Sequence, residues 1–518
     1  MAGLFLLGLA PRLYALGARS LWLDEAGSEG ISTLPWHQFW LLLSRHEANM
    51  GLYYLLLRGW LRLGSSDLWL RLPSAIFGAL AVVVGYAMLR RSFGRWAAVG
   101  GAILLAFNPF AINYSQDARS YSLAMLLVML SAWFLWQAVE RRRGRFWLGF
   151  DLAAIAAVYA HFFAGLALAA ELGFLLWQRL DRRFWKTAAA HAALVAAAAS
   201  PLALFVLRRN DGQLFWVPPL APHILGTILG NFAGVFLRSQ WQFWPLVLLV
   251  YGLAGFAGLA ILRPRLLTRR PGRDLSARRL LATDPLDIRR PAQRRLLRLL
   301  VFWLFIPVLS CLAVSVWQRV LVNRFLVVAM PPLPLLAGIG AAKLRRPLGI
   351  LACGLALALS ISVLAGFYHK PHEDWRGAAA WLAHHSRPGD VLLVYGPYCA
   401  LPLEHYLRRL PRAPLLLYPP SVNAYHLLSL RHGELSARYG GMASLGYAIS
   451  ELHARRGRVW VAGLGFYDHF NLNGVTMKFF RQAGWPAWLR LRLGRHFKGV
   501  DIARFDPIPR SRTADVVR

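Results

Sequence analysis

The sequence predicts a polytopic α-helical membrane protein with a soluble α/β domain at its C-terminal end. Of its 518 residues, 57% are hydrophobic, and the mean hydropathy is +0.42. The apolar residues gather in runs close to the roughly 20 residues that a helix needs to cross a bilayer. Arginine clusters lie between these runs, as the positive-inside rule requires. The net charge of +35 therefore indicates orientation in a membrane, and we expect no nucleic-acid partner.

About eleven apolar runs are predicted to span the bilayer. The first lacks the basic start and the small-residue cleavage pattern of a signal peptide, so we expect a retained helix. Arg12 within it is costly in lipid and is expected to turn inward or to reach for the outer surface. The predicted spans are 3–18, 73–89, 97–113, 120–138, two within 146–178, 187–207, 244–262, 299–317, 325–341 and 348–367.

The segments between the spans alternate in charge. One set is rich in arginine and includes the loop 263–298, the one segment predicted to be disordered, so we expect it on the cytoplasmic side with the N-terminus. The other set includes the long first loop 19–71, a helix break at His161 and everything after residue 368. These segments are expected to meet on the outer side.

The first outer loop contains an amphipathic pattern. Trp36, Phe39, Trp40 and Leu43 recur at helical spacing just after Pro35. This spacing predicts a helix that lies in the plane of the membrane interface. We assign the loop, with all the spans, to one membrane module that covers residues 1–367.

The tail, residues 368–518, contains no spanning run. Residues 390–395 and 458–463 predict buried strands, and 439–456 has helical periodicity. The tail is therefore predicted to be a separate α/β domain on the outer side. The three cysteines of the chain lie far apart in the sequence, which excludes a disulfide framework and a thiolate metal cluster.

Polar residues that could carry chemistry lie at the predicted outer ends of the spans. Each has an ordinary alternative, because a loop acid can cap the next helix, an arginine can pair with lipid phosphates and a histidine can satisfy a helix break. Their convergence on one side of the membrane favours a functional site. The residues are Asp24 and Glu25, His46 and Glu47, Asp117 and Arg119, His161, and Arg324.

Acids and bases gathered with arginines at a membrane surface suit group transfer from an anionic, lipid-linked donor. An aspartate can take the proton of an acceptor hydroxyl. Arginines can stabilise the charge that develops on a leaving phosphate. Glu47 with His46, or His161, could hold a divalent cation.

The order and spacing of several short motifs resemble the GT-C class of integral-membrane glycosyltransferases. Within that class, the chain is similar to bacterial proteins that resemble protein O-mannosyltransferases and the lipid A aminoarabinose transferase. The resemblance extends from the first span to the start of the tail. The motifs are Arg12-Leu13-Tyr14, Leu21-Trp22-Leu23-Asp24-Glu25-Ala26, Leu52-Tyr53-Tyr54-Leu55-Leu56, Asn108-Pro109, Gln116-Asp117-Ala118-Arg119-Ser120-Tyr121-Ser122, Tyr159-Ala160-His161-Phe162-Phe163, Asn323-Arg324-Phe325 and Asp374-Trp375-Arg376.

The resemblance implies an inverting transferase of a hexosyl or pentosyl group in the bacterial inner membrane. A polyprenyl-phosphate sugar would be the donor, a protein, glycolipid or polysaccharide of the envelope the acceptor, and Asp24 the catalytic base, with Glu25 beside it. Arg119 and Arg324 would bind the donor phosphate. His46, Glu47, Asp117 and His161 would bind substrate, and His46 with Glu47 could hold Mg²⁺, Mn²⁺ or Zn²⁺. This sequence departs from the aminoarabinose transferase after Glu47, where it has Ala48-Asn49-Met50-Gly51 in place of a lysine and paired prolines.

Two other classes of function remain open from the sequence. A transporter or flippase of lipid-linked substrates also needs charge within the membrane, although we find no repeated hydropathy pattern of the kind that many transporters have. A scaffold without catalytic activity could use the tail to bind envelope proteins, and it would tolerate the loss of Asp24.

Overall fold

The structure is a computed structural model. It describes residues 1–45, 47–208, 217–235, 241–262, 291–369, 373–395, 399–410, 415–417, 457–464 and 489–507. The chain divides into two compact units. Unit 1 comprises residues 1–16, 47–56 and 68–369, and unit 2 comprises 17–46, 57–67 and 370–518. The second unit therefore joins two pieces of the first loop to the tail.

The described part of the chain is mostly helical. In chain order, its α-helices are α1 Ala2–Leu13, α2 Leu23–Ser32, α3 Trp36–Arg45, α4 Gly51–Trp60, α5 Asp67–Ala106, α6 Pro109–Ser115, α7 Tyr121–Arg141, α8 Gly144–Ala160, α9 Ala164–Leu176, α10 Arg182–Arg208, α11 Ile224–Ala233, α12 Trp244–Leu262, α13 Pro291–Val314, α14 Pro332–Lys343, α15 Arg346–His369, α16 Trp375–His385 and α17 Ala400–Leu407; short 3₁₀ helices cover Trp241–Phe243 and Asn323–Ala329.

Among these described helices, five are long and apolar enough to cross a membrane: α5, α7, α10, α13 and α15. The 3₁₀ helix Asn323–Ala329 and α14 form a sixth span if the pair, bent by 46°, is counted as one. The chain is thus a membrane protein, but the predicted number of eleven spans is not confirmed. Some predicted spans, such as the first, form helices of only 10–17 residues.

The ends of two predicted segments differ from the structure. The predicted spans 73–89 and 97–113 lie on either side of a kink in α5 at Gly94, whose φ of +80° suits glycine, and the second span continues past the end of α5 at Ala106. The last part of the loop 263–298, predicted to be disordered, is helical from Pro291 onwards. Proline favours the first turn of a helix, and the buried Leu296, Leu297 and Leu300 anchor the arginine-rich turns that follow. The rest of that loop lies outside the described residues.

Unit 1 packs its helices closely at glycines. A Cβ added at Gly338 of α14 would lie 2.2 Å from the backbone nitrogen of Gly101 in α5. Only glycine permits this approach of two backbones, which is a common packing device in membranes. Arg12 of α1 turns inward, as one of the two expected arrangements required. Its Nη1 donates hydrogen bonds to the carbonyl oxygens of Gly8 at 2.6 Å and Ala106 at 3.0 Å.

Unit 2 contains a five-stranded sheet in the order β2-β1-β3-β5-β4. The strands are β1 Val391–Tyr395, β2 Leu415–Leu417, β3 Val459–Leu464, β4 Leu489–Phe497 and β5 Val500–Pro507. Strands β2, β1 and β3 are parallel, and β3, β5 and β4 are antiparallel. The two predicted strands of the tail therefore correspond to β1 and β3. The predicted helix at 439–456 lies outside the described residues.

The first-loop part of unit 2 contains the predicted amphipathic helix, α3. Phe39 is fully buried, whereas Trp36 and Trp40 are 48% and 53% exposed. Arg58 fixes this helix to the loop before it, because its Nη1 donates to the carbonyl oxygens of Ser32 and Leu34. Its guanidinium also lies over the ring of Trp36, 4.1 Å from the centroid.

Candidate active site

Arg119 of unit 1 is held at both its main chain and its side chain. The Ser74 hydroxyl donates a hydrogen bond to the Arg119 carbonyl oxygen at 3.1 Å, and Arg119 Nη1 donates to the Tyr54 hydroxyl at 3.3 Å. Tyr53, the neighbour of Tyr54, holds Ser74 through a hydroxyl pair at 3.0 Å. Both tyrosines are 1% exposed. Buried residues therefore hold Arg119 in place: Tyr54 of α4 contacts its side chain, and Ser74 of α5 contacts its main chain.

His161 occupies the predicted break between two helices. Helix α8 ends at Ala160, His161 is extended, and α9 starts three residues later. The ring is buried, and its Nδ1 accepts a hydrogen bond from the Phe163 N–H at 3.3 Å. In a neutral imidazole the proton must then sit on Nε2. That Nε2 is buried and has no hydrogen-bond partner among the described residues.

Arg324 reaches the same place from a distant part of the chain. It lies in the first turn of the 3₁₀ helix Asn323–Ala329, and the next residue, Phe325, packs its ring 5.4 Å from that of His161. The guanidinium groups of Arg119 and Arg324 both interact electrostatically with His161. Asp117 and Arg324 both interact with Tyr114. The structure thus gathers four predicted site residues of unit 1 at one location.

We call Arg119, His161 and Arg324 the arginine cluster. The two guanidiniums each offer planar sets of N–H donors, and the neutral His161 adds one more buried donor at Nε2. Such donors match the oxygens of a phosphate in both charge and geometry. The arrangement suits the binding of an anion.

Asp24 and Glu25 belong to unit 2, in the first turn of α2, and their environments differ. Glu25 is fully buried, and its Oε2 accepts a hydrogen bond from the Trp22 N–H at 3.4 Å. It therefore acts as a cap for the helix. Asp24 is only partly buried. Burial, together with the negative charge of Asp24, raises the pKa of Glu373, a residue at the start of the described tail.

The residues predicted to hold a cation are only partly described. His46 lies outside the described residues, and Glu47 is partly buried. Within the described ranges, no three histidine, cysteine, aspartate or glutamate side chains gather as a set of metal ligands. The residues described therefore do not form a metal site by themselves.

Unit 2 contains a second polar cluster that the sequence did not reveal. Asp67 is 7% exposed and accepts hydrogen bonds from His405 Nε2 at 3.3 Å, from Arg376 Nη2 at 2.6 Å and from the Tyr406 hydroxyl. His405 Nδ1 also bonds to Glu29 Oε2 at 2.7 Å. Asp67 stands at the start of a helix, where an acid is ordinary, and Glu404-His405-Tyr406 matches no motif. Only the fold reveals that they meet.

Comparison with known proteins identifies the class of fold. The family described as dolichyl-phosphate-mannose-protein mannosyltransferase matches residues 51–205, a range that includes Tyr54, Arg119 and His161. The resemblance predicted from the motifs is confirmed: the chain has the fold of the GT-C glycosyltransferases.

Solved structures show which members of that class are similar. ArnT from Cupriavidus metallidurans in the apo state has a TM-score of 0.59 at 14% identity, over 97% of both chains. The same protein bound to undecaprenyl phosphate gives 0.57 at 13% identity, again over 97% of both chains. The oligosaccharyltransferase of Archaeoglobus fulgidus in its apo form gives 0.50 at 13% identity, over 89% of this chain and 69% of that one. No curated protein matches the chain.

Proposed function

We propose that this chain is an inverting glycosyltransferase that moves a sugar from a polyprenyl-phosphate donor to an acceptor in the bacterial cell envelope. The observation that carries the proposal is the arginine cluster, which offers two cations and a buried donor to an anion. The structure of ArnT with bound undecaprenyl phosphate supports a donor of this class, because the two proteins share a fold. The description of the family that matches residues 51–205 also names a lipid-phosphate sugar, dolichyl-phosphate-mannose.

The arginine cluster binds the phosphate that joins the sugar to the lipid. As the bond between the sugar carbon and the phosphate oxygen breaks, negative charge grows on that oxygen. Arg119 and Arg324 stabilise this charge in place, which lowers the barrier to departure of the polyprenyl phosphate. His161 contributes Nε2–H as a neutral donor, because its Nδ1 already accepts the Phe163 N–H. Asp117, close to the same cluster, orients the sugar hydroxyls.

Asp24 is the general base. Its carboxylate takes the proton of the acceptor hydroxyl, and the resulting oxygen attacks the anomeric carbon while the phosphate leaves. One displacement inverts the configuration of that carbon. Glu25 supports Asp24 by capping α2, since its carboxylate is buried and accepts the Trp22 N–H.

Transfer takes place on the periplasmic side of the inner membrane. The support is the alternation of arginine-rich and arginine-poor connections, which predicts an outer location for the first loop and the tail. Reporter fusions after Tyr368 and within residues 270–290 test this orientation. A cytoplasmic signal after Tyr368 would contradict it.

We propose in addition that Glu47 and His46 hold a divalent cation. Carboxylate and imidazole are suitable ligands for Mg²⁺, Mn²⁺ or Zn²⁺. Transfer by the purified protein after chelation, with each ion then restored separately, decides whether a cation is needed.

The experiment that tests the proposal compares envelope glycans and glycolipids of a deletion strain with those of its parent. The strain is complemented with the parent protein, with Asp24→Asn or with Asp181→Asn. Asp181 is a matched control, because it is exposed and pairs with Arg142 at the surface. We expect the parent and Asp181→Asn to restore the missing glycan and Asp24→Asn to fail. Restoration by Asp24→Asn, or transport of the lipid-linked sugar across sealed vesicles by that variant, would contradict the proposal.

A further inference from the structure

We propose that His405, Tyr406 and Arg376 of the tail are positioning residues that clamp the first-loop helix α2, and that the clamp is complete only while His405 is an imidazolium. The tail would then act on the transfer reaction through the placement of Asp24. The catalytic consequence rests on the proposed function, whereas the clamp itself does not.

The clamp grips the loop on the N-terminal side of α2. The Tyr406 hydroxyl accepts a hydrogen bond from the Leu21 N–H at 2.7 Å, directly before the helix. Arg376 Nη2 donates to the carbonyl oxygens of Gly17 at 3.0 Å and Arg19 at 3.3 Å. The Arg376 N–H donates to the Ser20 hydroxyl at 3.1 Å. Residues 17–21 are therefore held by the tail through backbone and side-chain contacts.

The same tail residues converge on one buried carboxylate. Asp67 accepts hydrogen bonds from Arg376, Tyr406 and His405, so it links α16 to α17. The two oxygens of Asp67 thus accept three hydrogen bonds, each from a different side chain of the tail. The removal of one partner leaves a buried charge with fewer bonds, which is costly.

His405 extends the clamp to α2 itself. Its Nδ1 meets Glu29 at 2.7 Å and its Nε2 meets Asp67 at 3.3 Å. Carboxylates only accept hydrogen bonds, so both ring nitrogens must carry protons for the two bonds to exist together. The side chain of His405 is 2% exposed. Glu29 lies on the same helix as Asp24, five residues further along.

The charge balance around His405 sets the direction of its pH response. Burial and the positive charge of Arg409 lower the pKa of His405, but the hydrogen bonds to Asp67 and Glu29 and the charge of Glu29 outweigh them, so its pKa is raised. A raised pKa means that the clamp is complete at low pH and is lost as the pH rises through the folded-state value. Arg376 and Tyr406 meet the other oxygen of Asp67 and do not titrate in that range.

The test compares the full-length protein with His405→Gln and with a matched control, His384→Gln, which alters an exposed histidine of the same tail. Hydrogen–deuterium exchange is followed in peptides that cover residues 17–32. We expect exchange there to accelerate at least roughly tenfold in His405→Gln, since a charge-assisted pair is lost, and to stay unchanged in His384→Gln. Peptides from α7 serve as the internal reference. Unchanged exchange over 17–32 in His405→Gln would overturn the clamp, whether or not transfer is observed.

Activity then tests the catalytic consequence. In the parent, kcat should fall as the pH rises through the titration of His405, while KM for the donor stays constant; His405→Gln should have the low kcat at every pH. Glu29→Gln keeps an acceptor but removes a charge, so it should move this alkaline fall to lower pH by roughly 1 unit. This variant also serves if His405→Gln does not fold. An alkaline fall at the same pH in the parent and Glu29→Gln would overturn the role of His405.

Discussion

Two buried histidines in the two units of this molecule have opposite electrostatic surroundings. The charged groups that act on His161 in unit 1 are the guanidiniums of Arg119 and Arg324. Those bonded to His405 in unit 2 are the carboxylates of Glu29 and Asp67. Cationic neighbours disfavour protonation of an imidazole and anionic neighbours favour it, so the charges around the two rings act in opposite directions.

The difference separates a cluster that suits a bound anion from a cluster that holds α2 in position. In the clamp of unit 2, the carboxylates of Glu29 and Asp67 both meet the imidazole of His405, so these charges are paired inside the protein. In the arginine cluster, two guanidiniums act on a ring that carries a buried N–H donor, a combination of groups that suits an anion.

The largest expected effect divides the two acids in the first turn of α2, Asp24 and Glu25, by role. Asp24→Asn should lower sugar transfer about 10²- to 10⁴-fold, because Asn cannot take a proton from a hydroxyl at neutral pH. Glu25→Gln should be milder, since an amide oxygen can still accept the Trp22 N–H that Glu25 caps. Both purified variants are given donor and acceptor side by side. A dead Glu25→Gln beside an active Asp24→Asn would show that the wrong carboxylate has been named.

A smaller effect is expected in the arginine cluster. Arg324→Ala should weaken binding of the lipid donor about 10- to 150-fold, because a charge-assisted contact contributes about 1.5–3 kcal/mol. The thermal stability of the protein should change little, since Arg324 is partly exposed. Titration of the donor into the detergent-solubilised protein measures the change. An unchanged dissociation constant would remove Arg324 from the list of phosphate ligands.

The smallest effect concerns the neutral histidine. His161→Phe keeps a ring against Tyr121 and Phe325 but removes the Nε2–H donor. Donor affinity should fall by about 1 kcal/mol, or roughly fivefold. His161→Gln, which places an amide N–H near the same position, should recover part of the loss. If Phe binds the donor as well as His does, the buried Nε2–H does not meet the phosphate.

Local patterns in the sequence predicted much of the fold. The apolar runs at 390–395 and 458–463 predicted two strands of the sheet, and the spacing of Trp36, Phe39 and Trp40 predicted α3. The break at His161 was also predicted from a polar residue within an apolar run, because such a group must find a partner. Each of these features depends on residues close together in the chain.

Contacts between distant residues could not be predicted in the same way. His405 and Glu29 are separated by 376 positions, and Asp67 lies 338 positions from His405. Contacts between residues so far apart produce no periodic pattern in the sequence. The arginines at 294, 295 and 298 misled the prediction for a different reason: their charge suggested a loop, whereas the leucines between them formed the buried face of α13.

The most direct test of the central claim measures the preference for phosphate. Native mass spectrometry compares the affinity of the parent for undecaprenyl phosphate with its affinity for undecaprenol, which has the same chain and no charge. If the arginine cluster binds the phosphate group, the parent should bind undecaprenyl phosphate at least about tenfold more tightly than undecaprenol. That preference should disappear in the double variant Arg119→Gln, Arg324→Gln. Equal affinity of the parent for both lipids, or an undiminished preference in the double variant, would contradict the account.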